Sequence, residues 1–312
     1  MKNFIRALSI VFLIYGCKDS CGPRSETIRL DYDNIMIYTD LSSRMNRKPN
    51  DTMVINQILD FFVSDCVKPG IKVNDRSSIY FSRANYQRSI CPTVKIDIEQ
   101  FENLEEKQKF VNNKSEKYNL RDAIIDFKNI VRCNYKENDK GGLDLLSLIY
   151  QEVNNGIHVK KPKYLISETD TTTLYFHNHL IIFTDGYLEY STKKGSKDFY
   201  YGEPQIQEVR NFCIKNKVSP EEAIRNNRHF KIEPLVSEYN KLVNLYILET
   251  DDRGFNVQSG TFKYPPEISD NNILKIAWKV WAEESGFRHF EWRPKTTAKN
   301  LPSDYVQKLI KR

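Results

Sequence analysis

Glycine and proline are scarce in this chain, 12 of each in 312 residues, and histidine (5), methionine (4) and tryptophan (3) are scarcer still. So little glycine and proline excludes a collagen-like or low-complexity chain. No apolar run reaches the roughly 18 residues that a membrane span needs, which excludes a polytopic membrane protein. The six cysteines never fall in a C-x-x-C spacing, which argues against a zinc site. There is no Gly-x-Ser-x-Gly elbow and no phosphate loop of the Walker type. His177 and His179 would share one strand face, but His158, His229 and His289 are scattered elsewhere, so ordinary histidines are expected rather than a metal pair.

What is present is close to a globular average: 40% hydrophobic and 28% charged residues. The formal net charge is +6. Setting aside Lys2 and Arg6, the only charged residues among the first 16, leaves +4. A mildly basic chain without a basic stripe is not expected to bind nucleic acid. The clusters Lys160-Lys161-Pro162-Lys163 and Lys193-Lys194-Gly195-Ser196-Lys197 sit in loop-like sequence and read as solvated charge.

The N-terminus is the most explicit segment. Lys2 and Arg6 precede an apolar stretch from Ala7 to Tyr15, and polarity rises at once after Cys17 with Lys18, Asp19 and Ser20. The stretch is too short to cross a bilayer and suits the core of a secretory signal. Ile14-Tyr15-Gly16-Cys17 resembles the lipobox of bacterial lipoproteins, in which the Cys receives the lipid. Lys18-Asp19-Ser20 is similar to the pattern that routes lipoproteins to the surface of Bacteroidetes-type bacteria. These resemblances imply a signal peptide over 1–16, a lipidated tether over 17–27 and acyl chains such as palmitate on Cys17. They also imply an outer-membrane anchor, facing the periplasm or the cell surface. Of the other cysteines (Cys21, Cys66, Cys91, Cys133 and Cys213) an odd number leaves one unbridged. Mostly buried thiols are expected, although the compartment permits a disulfide.

From 28 to 312 a single elaborated domain is expected. Ile35–Thr39, Leu180–Thr184 and Leu242–Leu248 are continuous apolar runs of the kind buried on both faces of a parallel sheet. Ile79–Phe81 is a shorter strand, Thr93–Ile98 alternates like an antiparallel edge strand, and Phe287–Trp292 is a last edge. Helical spacing recurs over Val54–Val63, with Asn50 or Asp51 as N-cap. It recurs again over 103–132 with a break near Lys117–Asn119, over Leu143–Val153, over 205–239, and from an Asp270 cap to Gly286. A short helix from about Ser303 closes the chain. The alternation predicts an α/β fold, a three-layer Rossmann-like sandwich around a mostly parallel sheet of about six strands.

In doubly wound sheets ligands sit at the carboxyl ends of the strands, where strand order reverses. If the first strand neighbours the Leu180 strand, Asp40 and Asp185 share that crevice. Two carboxylates there call for a cation or a proton between them. With Ser and Thr nearby the oxygen donors suit Mg²⁺, Mn²⁺ or Ca²⁺. Ile37-Tyr38-Thr39-Asp40-Leu41-Ser42-Ser43-Arg44, Gly141-Gly142-Leu143-Asp144-Leu145 and Ile182-Phe183-Thr184-Asp185-Gly186 resemble the three metal-site loops of von Willebrand factor A domains. The resemblance spans most of 33–250. It implies a metal-ion-dependent adhesion site built on Asp40, Ser42 and Asp185. The chain departs from that pattern at Arg44, which stands where a second Ser belongs, and at Leu143, which replaces a Thr. Each change removes an oxygen ligand. Arg44 could serve as a built-in replacement for the metal.

The resemblance implies a lipid-anchored, extracytoplasmic protein-interaction module, an adhesion or envelope scaffold, with a protein partner in the envelope or at the cell surface. Mg²⁺ or another hard divalent cation is its only expected cofactor. Tyr187, Tyr190, Tyr200 and Tyr201 would face the partner, since an aromatic body with a polar tip suits an interface. A rival reading is a Mg²⁺-dependent phosphoester hydrolase resembling haloacid dehalogenase-type phosphatases, with Asp40 as nucleophile. That family has a second Asp where this chain has Ser42. A structural lipoprotein without a ligand site is the third reading. No enzyme activity is expected.

Overall fold

The computed structural model describes residues 27–41, 48–71, 75–83, 90–137, 144–167, 170–189, 199–256, 258–295 and 301–310. The segment expected to be a signal peptide and most of the expected tether, with Cys17, lie outside the described residues. The elements in chain order are β1 (Thr27–Thr39), α1 (Lys48–Phe61), β2 (Ser78–Arg83), β3 (Val94–Asp97), α2 (Leu104–Val111), α3 (Leu120–Lys136) and α4 (Leu145–Ile149). Then follow β4 (Lys163–Ile166), β5 (Thr171–Phe183), α5 (Glu203–Asn216), α6 (Pro220–Asn226), β6 (Val243–Thr250), β7 (Phe255–Asn256), β8 (Thr261–Phe262), α7 (Asp270–Ser285), β9 (His289–Pro294) and α8 (Tyr305–Leu309).

The fold is α/β. Its main sheet runs β3-β2-β1-β5-β6-β9, with β4 added to β5. Pairs β1–β2, β1–β5, β5–β6 and β6–β9 are parallel, and the alternating Val94–Asp97 strand is an antiparallel edge. The three apolar runs are the buried middle of the sheet. Alternate strand residues feed two hydrophobic clusters. Met36, Tyr38, Leu180, Ile182 and Ile247 meet Ile206, Leu274, Trp278 and Trp281 in one. Ile35, Ile37, Ile181, Phe183 and Leu248 meet Ile55, Ile58 and Phe127 in the other. No helix among the described residues is long and apolar enough to cross a membrane.

Several boundaries differ from the sequence reading for identifiable reasons. β1 and β5 start well ahead of their apolar runs, paired from Thr27↔Thr171 to Thr39↔Phe183. The added halves mix charged and polar residues with a small buried cluster of Tyr32, Leu174 and Phe176, and acid–histidine pairs bridge the strands: His177 Nε2 lies 2.8 Å from Asp31 Oδ1. α1 begins at Lys48, so Asp51 lies inside it, and its carboxylate accepts a hydrogen bond from Tyr135 (3.0 Å). Ser269, not Asp270, caps α7 by accepting from the Asn272 amide. Residues 231–239 form no α-helix. The break near Asn119 is a helix start, where Asn119 and Asp122 exchange side-chain to backbone hydrogen bonds, both 3.2 Å. Cys91 and Cys133 form a disulfide, while Cys66 and Cys213 are buried thiols. The mostly reduced expectation is thus half right.

Candidate functional site

The site grows from the parallel ends of β1 and β5. Thr39 pairs with Phe183, and the Asp40 amide donates to the Phe183 carbonyl at 2.8 Å. Asp40 and Asp185 therefore emerge at the same end of the sheet. That end is the switch point, with β2 and β3 on one side and β5, β6 and β9 on the other. Thr184 links the two loops: its hydroxyl donates to Asp40 Oδ2 (3.2 Å) and accepts from the Gly186 amide (3.1 Å). Gly186 has φ of +96°, and a Cβ there would stand 2.8 Å from the Trp292 ring. Both facts require glycine. The Gly186 carbonyl accepts from Trp278 Nε1 at 2.8 Å, which fixes the loop to α7.

Asp185 is fully engaged. Its Oδ1 accepts from the Tyr187 amide, and its Oδ2 accepts from Arg253 Nη2, each at 3.2 Å. The other arm of that guanidinium donates to Glu189 Oε2 at 2.8 Å. The Arg253 guanidinium carbon also lies 3.8 Å from the centre of the Tyr187 ring, a cation–π contact. Burial opposes the charge on Arg253, but the Glu189 hydrogen bond and the carboxylates of Asp185 and Glu189 outweigh it and raise its pKa. Tyr187 donates to Asp270 Oδ2 at 2.8 Å, and Asp270 also pairs with the buried Arg210. Burial, then the Asp270 charge, push the Tyr187 phenol well above its ordinary pKa, so it stays a neutral donor.

Arg253 is placed by the end of β6. Glu249 there adopts a left-handed backbone (φ 63°) beside a break in the β6–β9 register, a conformation that costs a non-glycine residue of order 1 kcal/mol. Asp252 then receives the Gly254 and Asn271 amides, at 2.8 and 3.1 Å. This turn aims Arg253 back across the sheet end toward Asp185.

The structure places Asp40 and Asp185 at the same end of the sheet, with Thr184 between them. Ser42, Arg44, Leu143 and Tyr190 lie outside the described residues. Tyr187 and Tyr201 are 2% exposed and belong to the core, so their rings offer a partner no surface. Tyr200 is half-buried. Backbone bonds of 3.0 Å in both directions between Leu188 and Tyr201 close the base of the intervening excursion. His177 and His179 do share a strand face, with rings 6.4 Å apart. Each is committed to an aspartate, Asp31 and Asp33 respectively.

Sequence reasoning missed Arg253 and Glu189. The signal was a cation directly after the acidic end of the third apolar run, in Asp251-Asp252-Arg253. Among the described residues no group of three or more His, Cys, Asp or Glu side chains could hold a metal ion. The Arg253 guanidinium lies against Asp185, and Ser42 lies outside the described residues.

No family model matches the chain, and no curated protein matches it. Proximal thread matrix protein 1 from the mussel byssus is a solved structure that it matches, at 10% identity and a TM-score of 0.31. The match covers 92% of this chain and 48% of that one, so the chain spans about half the length of the mussel protein. At that similarity the match bears on neither fold nor function.

Proposed function

We propose that the chain is a lipid-anchored, extracytoplasmic protein-interaction module with a von Willebrand factor A-like, three-layer Rossmann-like domain. Its partner docks at the carboxyl-end crevice through side chains rather than through a metal bridge. The observation that carries this reading is Arg253, held between Asp185, one of the acids that the resemblance assigns to the metal, and Glu189. A resident guanidinium offsets part of the carboxylate charge at any relevant pH. It also presents a fixed, partly exposed hydrogen-bonding group beside Tyr200 and Glu189. The Cys91–Cys133 disulfide supports an oxidising compartment outside the cytoplasm. Binding, not turnover, is the proposed activity.

The test places a photo-cross-linking residue at Tyr200 in cells and isolates the products from native membranes. A discrete cross-linked protein is expected, and Arg253→Glu should abolish it while the fold, read by circular dichroism, persists. Calorimetry of the parent with Mg²⁺ should give no binding heat. Tight Mg²⁺ binding by the parent, or a cross-link indifferent to Arg253→Glu, overturns the reading. Hydrolysis of a generic phosphoester lost in Asp40→Asn would favour the hydrolase instead.

A further inference from the structure

Among the described residues the sheet leaves four stretches of strand edge open, and three of them are guarded by charge. The β3 edge bears Lys95 and Asp97, and the β9 edge bears Glu291 and Arg293. The amino half of β1, which β2 joins only from Asn34 onward, bears Arg29 and Asp31. Charged side chains on an open edge discourage pairing with another chain. β4 is different. It pairs with β5 alone, from Thr171 to Leu174. Its last three residues, Tyr164, Leu165 and Ile166, are 66%, 49% and 81% exposed. Lys163, its one charged residue, is held by Glu99 of the same chain at 2.7 Å.

The direction of the backbone groups follows from the turn. The Ser167 amide donates to the Asp170 carbonyl at 2.9 Å, and hydrogen-bonded positions alternate along an antiparallel pair. Leu165 and Lys163 therefore exchange their bonds with β5, and the N–H and C=O of Tyr164 and Ile166 point outward. An antiparallel strand added to this edge must bond at those two residues. A second β4 does so in one register, with Tyr164 opposite Ile166 of the other copy and Leu165 opposite its own counterpart. All the outward groups of both residues are then paired, and every apolar side chain of the strand meets an apolar one. Sliding by two residues one way sets Ile166 opposite Pro162, which has no N–H. Sliding the other way runs Tyr164 past the end of the facing strand.

We propose that β4 is the interface of a symmetric dimer, in which a second copy of this chain adds its own β4 antiparallel to the first. A two-fold axis then passes beside Leu165, and the two seven-stranded sheets become one continuous sheet. Such a contact is isologous and closed, so association stops at two copies. Leu165 and its counterpart form a non-hydrogen-bonded pair, whose Cα atoms lie about 4.5 Å apart and whose side chains touch. Antiparallel addition sends the body of each copy away from the other, because β5 of one runs opposite to β5 of its partner. The interface is one strand wide, so the dimer is weak and concentration-dependent. The proposal is independent of the lipid on Cys17 and of the crevice.

Sedimentation equilibrium of the full chain in detergent solution tests the association. A monomer–dimer equilibrium is expected. Ile166→Pro removes an outward N–H while leaving the ladder to β5 intact, as proline on an edge strand can. It should raise the dissociation constant about tenfold, since one hydrogen bond is lost from each copy. Should that variant fail to fold, as read by circular dichroism, Tyr164→Lys sets a charge opposite Ile166 and should weaken the dimer likewise. The register has its own readout. Under mild oxidation Leu165→Cys should yield a disulfide-linked dimer well above the parent's background, because the facing Cα atoms lie within disulfide range. Lys163→Cys should not. A parent that stays monomeric at every concentration overturns the proposal. So do open-ended oligomers, a dimer indifferent to the β4 variants, or cross-linking at position 163 as readily as at 165.

Discussion

His158 illustrates how a single side chain can carry a pH dependence. Its ring stacks on Tyr80 with centroids 3.9 Å apart. Burial, with the Lys95 charge in support, lowers its pKa to about 4. Glu152 stands 3.7 Å from Nε2, but the imidazole is neutral at pH 7, so no ion pair forms there. The unfolded chain takes up this proton near pH 6.5 and the folded chain only near pH 4. Stability from this residue is therefore complete above pH 6.5 and is lost as pH falls from there to about 4. The loss is of order 2 kcal/mol once partial exposure is allowed for. His158→Phe keeps the ring stack and removes the titration. Its urea midpoint should fall less steeply than the parent's between pH 6.5 and 4; identical slopes would refute the assignment. Arg253 teaches a complementary lesson. Nothing in the local sequence says that an arginine after two aspartates turns back to Asp185. That depends on the left-handed Glu249 and on the Asp252 turn, which only the assembled sheet end defines.

At the scale of elements, the apolar runs and their acidic ends were legible because burial on both faces leaves a continuous hydrophobic signature. The antiparallel edge was legible from its alternation, and Gly286 correctly marks the end of α7. The amino-terminal halves of β1 and β5 were not legible, since Arg29, Asp31, Asp33, Thr171–Thr173 and His177 interrupt the few apolar residues there and hide the ladder. The disulfide was hidden for another reason: spacing alone cannot pair cysteines. It ties the segment before β3 to α3 across 42 residues. Closing a loop of that size restricts the unfolded chain by about 3–4 kcal/mol. Paired Cys91→Ala and Cys133→Ala changes should lower thermal stability accordingly, with the loss concentrated in amide protection at β3 and α3. A reductant that leaves the parent's melting temperature unchanged would show that the bridge contributes nothing.

The whole molecule has two unlike ends joined by one long strand. β1 starts at Thr27 and finishes at Thr39, about 40 Å away at the usual strand rise. β5 lies parallel to it along the full length, and β2 along the second half. This arrangement governs the response to load. A pull applied between Thr27 and the crevice puts tension along the axis of β1. The ladder hydrogen bonds on its flanks are then sheared together instead of being unzipped in turn. Rupture under such load follows the unfolding barrier rather than equilibrium stability. Pulling by atomic force microscopy between position 27 and position 253 should therefore meet higher resistance than pulling between position 27 and position 166, which peels β4 from the edge of the sheet.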